Sequence, residues 1–518
     1  MLLNDKISSW KNMEYNMIWN LEEFFKDKND YLDNLSKLSK ICQNALEYEK
    51  YNFETKEEII KFLNFYKTYS EIECEFITYI ELLKTENYKN NNVKEYENKL
   101  NKLTTKMDNL FEKIFKKIKQ TNNLEKYNLT DEYKGLFETF KNEKETETTR
   151  NIKLFYSLYN DMLELNIEPT KFKNTFLEII NNYFKSFINK EESYEEIIFK
   201  KHPEINKKEL KKLFNIIGES SNLNLCFIYM LVDLNENIIP KINYETAKEK
   251  TLKSYNILGK EYINTVKLAF QNNRIDHQIR KDKPDVNITY TIKNHNAFVS
   301  INYDEDIESV LTLSHELGHL VEHDLKMKNN KEIYVTPASE LYSLTNELIT
   351  GNYLLKHANT LEEKTIISLN LIKIYITNIY QTLAFSDLSL RINKKILKDG
   401  NIDLKSINGI SNNVIKKFNI LEDRYCWINE DIFETLNQIV YAYGMIGASN
   451  ICSNIESKSL NIKDYIYTLK EDKYKNFELY DKLDSNPIKE ENIKKALKNY
   501  KNLMTNTEDL VYELKKRR

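Results

Sequence analysis

Leu, Ile and aromatic residues recur every three or four positions through EEIIKFLNFYKTYSEIECEFITYIELLK (residues 57–84), the spacing that gathers apolar side chains on one face of an α-helix. Neither glycine nor proline occurs before Gly135, and the whole chain holds only nine and six of them. Strands joined by tight turns need such residues; long helices do not. Short polar interruptions, ENYKNNN and KQTNN, supply the helix connections, and KNEKETETTR reads as a solvated loop leading into another helical stretch. The absence of a fixed-period repeat argues against a solenoid.

One region departs from this pattern. Within NITYTIKNHNAFVSINYDEDIES, the segments ITYTI and AFVSINY alternate and are rich in β-branched and aromatic residues, so two strands are expected. The tetrad KNHN between them makes the turn of a β-hairpin. A helix follows, and Asp304 or Asp306 is positioned to cap it, where a carboxylate also complements the helix dipole.

A chain of 518 residues exceeds what one compact core usually holds, so two or more substructures are expected. Hydrophobic content of 41% suffices for buried interiors, while the net charge of -3 offers no basic face for nucleic acid and no polybasic membrane anchor. The opening MLLNDKISSW lacks the cationic start and apolar core of a signal peptide. IISLNLIKIYITNIYQTLAF carries Lys373 and two asparagines, so it reads as a buried helix rather than a membrane span. Five scattered cysteines without a CxxC pair suggest free thiols in a reducing compartment. These features together lead us to expect a soluble cytoplasmic protein with no nucleic-acid or membrane partner.

The chemistry concentrates in SHELGHLVEHDL, residues 314–325. Three of the seven histidines fall between positions 315 and 323. On a helix, positions i and i+4 project side by side, so His315 and His319 can reach one ion. Glu316 points near the same place without being forced to bind. This is the HExxH arrangement, in which two imidazoles hold zinc and the glutamate takes a proton from water. By chance it arises in roughly one per cent of chains of this composition. Leu311, Leu313, Leu317, Leu320 and Val321 make the helix apolar on most sides, as expected for a buried one. Gly318 inside it costs about 1 kcal/mol relative to alanine, and would admit a neighbouring backbone, a substrate or plain packing.

The third ligand must come from elsewhere. His323 lies eight residues past His315, roughly 12 Å along the axis, whereas zinc ligands sit about 2 Å from the ion. Glu322 fails for a similar reason. KNNK can turn the chain back, and TPASELYSLTNELI then starts a second helix, with Thr336 as cap and Pro337 in its first turn. Glu340, Ser343 and Glu347 share a face of that helix. The two glutamates stand about two turns apart, so one of them completes the site, and spacing alone does not choose which.

HELGH followed by ExxSxxNE resembles the oligoendopeptidase F branch of the thimet oligopeptidase-like zinc peptidases. AFVSINYDEDIESVLTLSHELGH resembles the segment leading into that family's zinc helix, and NILGKEYINTVKLAFQNNRIDH the stretch before its substrate-side strands. YQTLAFSDL, MIWNLEEFF and the tyrosine-rich NQIVYAYG also have counterparts there. The resemblance implies a mainly α, clam-shaped fold with a small sheet beside the HExxH helix and a deep substrate channel. It implies one Zn2+ per chain, with His315, His319 and Glu340 as ligands and Glu316 as general base. Glu347 and Ser343 become candidates for supporting or packing roles. Tyr441 and Tyr443 become candidates for donating a hydrogen bond to the oxyanion, a contribution of about 3 kcal/mol.

Three positions depart from the family pattern. Glu322 stands where members often carry a further histidine, no histidine follows His357, and the loop before ELYSLTNE is about three residues shorter. The expectation is a zinc endopeptidase acting on oligopeptides, as a monomer or small homo-oligomer. It divides into an N-terminal helical domain (1–198) and a catalytic domain (199–518). The hairpin would bind substrate as an added strand. The rival readings are a carboxypeptidase or dipeptidyl carboxypeptidase on the same scaffold, and a catalytically weak peptide-binding protein.

Overall fold

The computed structural model describes residues 19–86, 91–121, 147–164, 167–186, 206–232, 240–280, 283–331, 338–428, 433, 438–474 and 477–517. The chain forms two compact units with boundaries at 144/145, 266/267 and 302/303, so the first unit takes in a later excursion of the chain. The division expected at residues 198/199 lies outside the described residues.

The first unit contains α1 (Lys28–Ala45), α2 (Lys56–Glu86), α3 (Asn91–Gln120) and a three-stranded sheet. Asp27 caps α1 by accepting from the backbone N–H groups of Asn29 and Asp30. Helix α2 carries the periodic stretch, and its Ile59, Phe62, Leu63, Tyr66, Tyr69, Phe76 and Ile80 are buried. Burying each such side chain contributes roughly 1.5–3 kcal/mol. Trp19 joins this core. Its indole N–H donates to Leu82 O (3.1 Å) and Thr85 Oγ1 (3.0 Å), while its ring meets Phe298 edge-on at 5.7 Å.

The expected hairpin is present as β2 (Ile288–Tyr290) and β3 (Phe298–Ser300), antiparallel with Thr289 opposite Val299. Its turn uses Asn294 at φ 68°, a left-handed conformation that asparagine tolerates. A further strand, β1 (Ile275–Asp276), pairs parallel to the other side of β3. Two residues are too few to show alternation, so no sequence pattern announced it. In the β1-β3-β2 order, β3 is central and paired on both sides.

In the second unit, α4 (Tyr244–Ser254) precedes α5 (Lys260–Gln271), which runs across the 266/267 boundary. Then come α6 (Ile307–Lys328), α7 (Leu341–His357), α8 (Leu361–Tyr375), α9 (Ile439–Glu456) and α10 (Glu490–Arg517), among other helices. Helix α7 is packed between α6 and α9, while α8 lies along α10. The apolar stretch read as a buried helix is largely buried, but a π-helical segment at Ile376–Gln381 interrupts it. The run KNEKETETTR corrects the loop expectation in part. Its first six residues lie outside the described residues, and from Glu147 the chain is helical. Polarity excludes burial, not helix, and Glu is a good helix former. All five cysteines are free. Among the described residues, no helix is long and apolar enough to cross a membrane.

Candidate metal centre

Helix α6 begins where Asp306 accepts from the Ser309 N–H at 2.7 Å, and the Asp304 N–H donates to Ser309 Oγ at 2.9 Å. Of the two acids expected to cap, Asp306 is therefore the cap. The helix ends at Lys328, and Asn330 turns the chain with φ 54°, within the expected KNNK turn. Thr336 and Pro337 lie outside the described residues. Residues 338–340 form a turn and α7 starts at Leu341 with Glu340 at the N-cap position, so the helix begins later than a Thr336 cap would place it; the Glu340 carboxylate caps nothing. It turns to α6 instead.

Glu340 Oε2 lies 3.3 Å from His315 Nε2 and 3.3 Å from His319 Nε2. One ligand atom from each of these three residues lies within 4.8 Å of the others, so the three side chains expected to share an ion converge. The two imidazole rings stand 5.1 Å apart at 74°. Two further side chains hold this group. Glu347 Oε2 is 3.3 Å from His315 Nδ1, and the Ser343 hydroxyl donates to Glu340 Oε2 at 3.0 Å. Both glutamates thus reach His315, two helical turns apart, because they take its opposite nitrogens. Only the Glu340 side also meets His319.

Glu316 is buried on α6 beside this group, and its charge helps to hold the His319 imidazole protonated. His323 is buried but stands outside the converging group, as the axial distance required. Glu322 pairs with Lys326 at 2.5 Å, which gives it a structural role in place of a ligand.

The electrostatics favour positive charge at this group. Burial alone would lower the His315 pKa, but the Glu340 and Glu347 carboxylates carry it well above the ordinary histidine range. His319 is raised in the same way by Glu340, against its own burial. The Glu340 carboxyl is held far down by the two histidines, although burial pushes it up. Two imidazoles and a carboxylate are also the donor set of a catalytic zinc site, which leaves one position open. The residues present fit that ion.

The backbones come unusually close here. A Cβ on Gly318 would stand 2.5 Å from Ser343 Cα, and one on Gly444 of α9 would stand 2.9 Å from the Glu340 carbonyl carbon. The Gly318 glycine therefore admits a neighbouring backbone, one of the roles its sequence position allowed. Sequence reasoning missed Gly444; its only signal was the scarcity of glycine.

Tyr441 and Tyr443 both lie on α9, two positions apart, so they face different sides. Tyr443 is 1% exposed and packs edge-on against Phe477 at 5.2 Å. Tyr441 is half-buried and lies one turn before Gly444, on the face that meets Glu340.

No family model matches the chain. By sequence it is 28% identical over 264 residues to an oligoendopeptidase F homolog of Borreliella burgdorferi, covering 48% of this chain and 45% of that protein. The chain spans less than half the length of the curated relatives it matches. Its fold is that of an oligoendopeptidase F from Enterococcus faecium, with a TM-score of 0.58 at 14% identity over 94% of this chain and 99% of that one. A protein of Chlamydophila abortus, provisionally described as a peptidase, gives a TM-score of 0.74 at 14% identity over 95% and 98% of the two chains.

Proposed function

We propose that this chain, a relative of the oligoendopeptidases F that shares their fold, is a cytoplasmic zinc-dependent endopeptidase cutting internal bonds of short, unstructured peptides. The observation that carries the reading is the convergence of His315, His319 and Glu340 beside a buried glutamate one position along the same helix. A purely structural zinc site has no use for that glutamate and is usually closed by four protein ligands.

Zinc held by His315, His319 and Glu340 would supply Lewis-acid polarisation of the scissile carbonyl and make water more acidic at neutral pH. Glu316 accepts the proton of the attacking water and delivers it to the leaving nitrogen, so it ends the cycle unprotonated. Glu347 fixes the His315 ring through Nδ1 and keeps Nε2 directed to the ion; Ser343 does the same for one Glu340 oxygen. Tyr441 donates to the oxyanion that forms as the carbonyl becomes tetrahedral. Tyr443, buried against Phe477, is assigned to packing. Substrate binds by strand addition, and because β3 is paired on both sides, the outer edge of β2 or β1 receives it.

Mass spectrometry of a peptide mixture of about five to forty residues, incubated with the protein and with Glu316→Gln, tests this reading. Internal cleavage by the wild type and none by the variant supports it. Trimming only from the C-terminus assigns a carboxypeptidase, and no cleavage by zinc-loaded wild type assigns a peptide-binding protein.

A further inference from the structure

Directly behind the metal-facing side chains lies a buried polar network that no packing requirement explains. Ser314, the residue before His315, and Asn346, the residue before Glu347, are both 0% exposed. Ser314 Oγ donates to Asn346 O at 3.0 Å and lies 2.7 Å from both Tyr255 Oη and Thr350 Oγ1. A hydroxyl has one proton, so with that proton on the Asn346 carbonyl, Tyr255 and Thr350 must each donate to Ser314. The Asn346 amide spends its two protons on Tyr255 Oη and Ser314 O, both at 3.2 Å. Its own oxygen accepts from Tyr262 Oη at 2.7 Å. Every one of these polar atoms has a partner, and Tyr255, Tyr262 and Thr350 are also 0% exposed.

The direction of these bonds matters. They run from α6 to α7 in both senses, and Tyr255 and Tyr262, stacked edge-on at 5.3 Å, clamp the pair from a third side. Apolar packing holds the two helices together by shape alone, whereas hydrogen bonds are directional. A closed set of bonds to backbone carbonyls on both helices fixes how far α7 lies along α6. That register decides whether Glu340 and Glu347 meet the two nitrogens of His315, which each now approaches to 3.3 Å.

We infer that Tyr255, Tyr262, Ser314 and Asn346 are positioning residues of the metal centre, setting the α6–α7 register on which zinc affinity depends. This rests on the zinc reading of the site. A displacement of about 1 Å is enough to spoil a constellation of this kind. None of the four residues bonds to a metal ligand, so their effect passes through the helix register; losing a direct partner of a ligand typically weakens metal binding about 10- to 100-fold, and an indirect one less.

The test uses full-length protein stripped of metal and titrated with Zn2+ against a chromogenic chelator, alongside thermal melts of the metal-free forms. Tyr255→Phe is expected to weaken Zn2+ binding about 3- to 10-fold, toward the lower end of what losing a direct partner of a ligand costs. The comparison is Tyr380→Phe, which removes another buried hydroxyl, bonded to Ser220 at 2.9 Å with its ring against Tyr500, neither of them in this network. It is expected to lower the melting temperature to a similar degree and leave Zn2+ affinity within about twofold. Ser314→Ala, which removes the shared acceptor, stands in should Tyr255→Phe fail to fold. Affinity unchanged in the folded variants overturns the positioning role and leaves the zinc site intact. Wild type that binds no Zn2+ overturns both readings.

Discussion

Gly318 and Ser343 are in contact through their backbones: a Cβ on the glycine would lie 2.5 Å from Ser343 Cα and 2.9 Å from its nitrogen. The contact falls beside His319 on one helix and at the very serine that holds Glu340 on the other. Gly318→Ala must therefore push α6 from α7, because the obstructing atoms are backbone and cannot rotate away. Denaturant melts are expected to show a loss of about 3 kcal/mol, despite the helix-propensity gain of alanine. Zn2+ affinity should fall with it. A variant as stable as the wild type would mean that the helices separate at no cost.

Glu347 offers a cleaner separation of chemistry from packing. It sits 3.3 Å from His315 Nδ1 and is not one of the three converging ligands. Glu347→Gln keeps the shape and removes the charge. Zinc binding is expected to weaken about 10-fold, while the melting temperature of the metal-free protein falls where His315 is protonated, because that imidazole loses one of its two carboxylate partners. Chelator competition reads the first and a thermal melt the second.

The titration of the metal-free centre gives a signed prediction. Burial opposes it, but Glu340 and Glu347 raise the His315 pKa well above 6.5, and Glu340 raises that of His319. A raised folded-state value contributes stability that is complete below about pH 6.5 and lost as pH rises through the folded value. Metal-free protein should therefore lose thermal stability as pH climbs from about 6.5, while the zinc-loaded form, whose imidazoles are neutral, should not. Glu340, lowered by the two histidines against its burial, acts in the opposite sense on the acid side, losing its contribution as pH falls. Melting curves with and without excess chelator across this range check the difference; parallel curves would remove it.

Much of this molecule was legible before its structure. The long amphipathic stretch at 57–84 reads as a helix because its burial repeats locally, and HExxH places two histidines together by helix geometry alone. The hairpin was readable from alternation over several residues, whereas β1, with two residues in a parallel pair, leaves no such trace. Glu340 and Glu347 could be put on one face but not told apart, because what separates them is which nitrogen of His315 each reaches. Ser314 on an apolar helix looks like any tolerated serine. Its partners Tyr255 and Asn346 are 59 and 32 residues away, and only the packed chain brings them together.

Strand addition at the outer edge of β2 makes a kinetic prediction. Ile288 is the first residue of that strand and 39% exposed. The Val299 and Ile301 N–H groups go to the β1 side, so Ser300 faces its partner Ile288, and Ile288→Pro breaks that rung and bends the β2 edge; it is expected to raise KM several-fold with kcat unchanged. Steady-state kinetics on an internally quenched peptide decide it. Unchanged KM would move substrate binding away from β2.

The two tyrosines of α9 can be separated by the same assay. Tyr441 is half-buried and shares the face of Gly444, which meets Glu340, whereas Tyr443 is 1% exposed against Phe477. An oxyanion donor must meet the substrate, so Tyr441→Phe is expected to lower kcat about 100-fold with little change in KM or melting temperature. Tyr443→Phe should do the reverse, costing about 1 kcal/mol of stability and leaving kcat within a few-fold. A kcat loss confined to Tyr443→Phe would exchange the two roles. If neither variant lowers kcat, the oxyanion takes its hydrogen bond from another group, and α9 contributes only the backbone contact of Gly444 with Glu340.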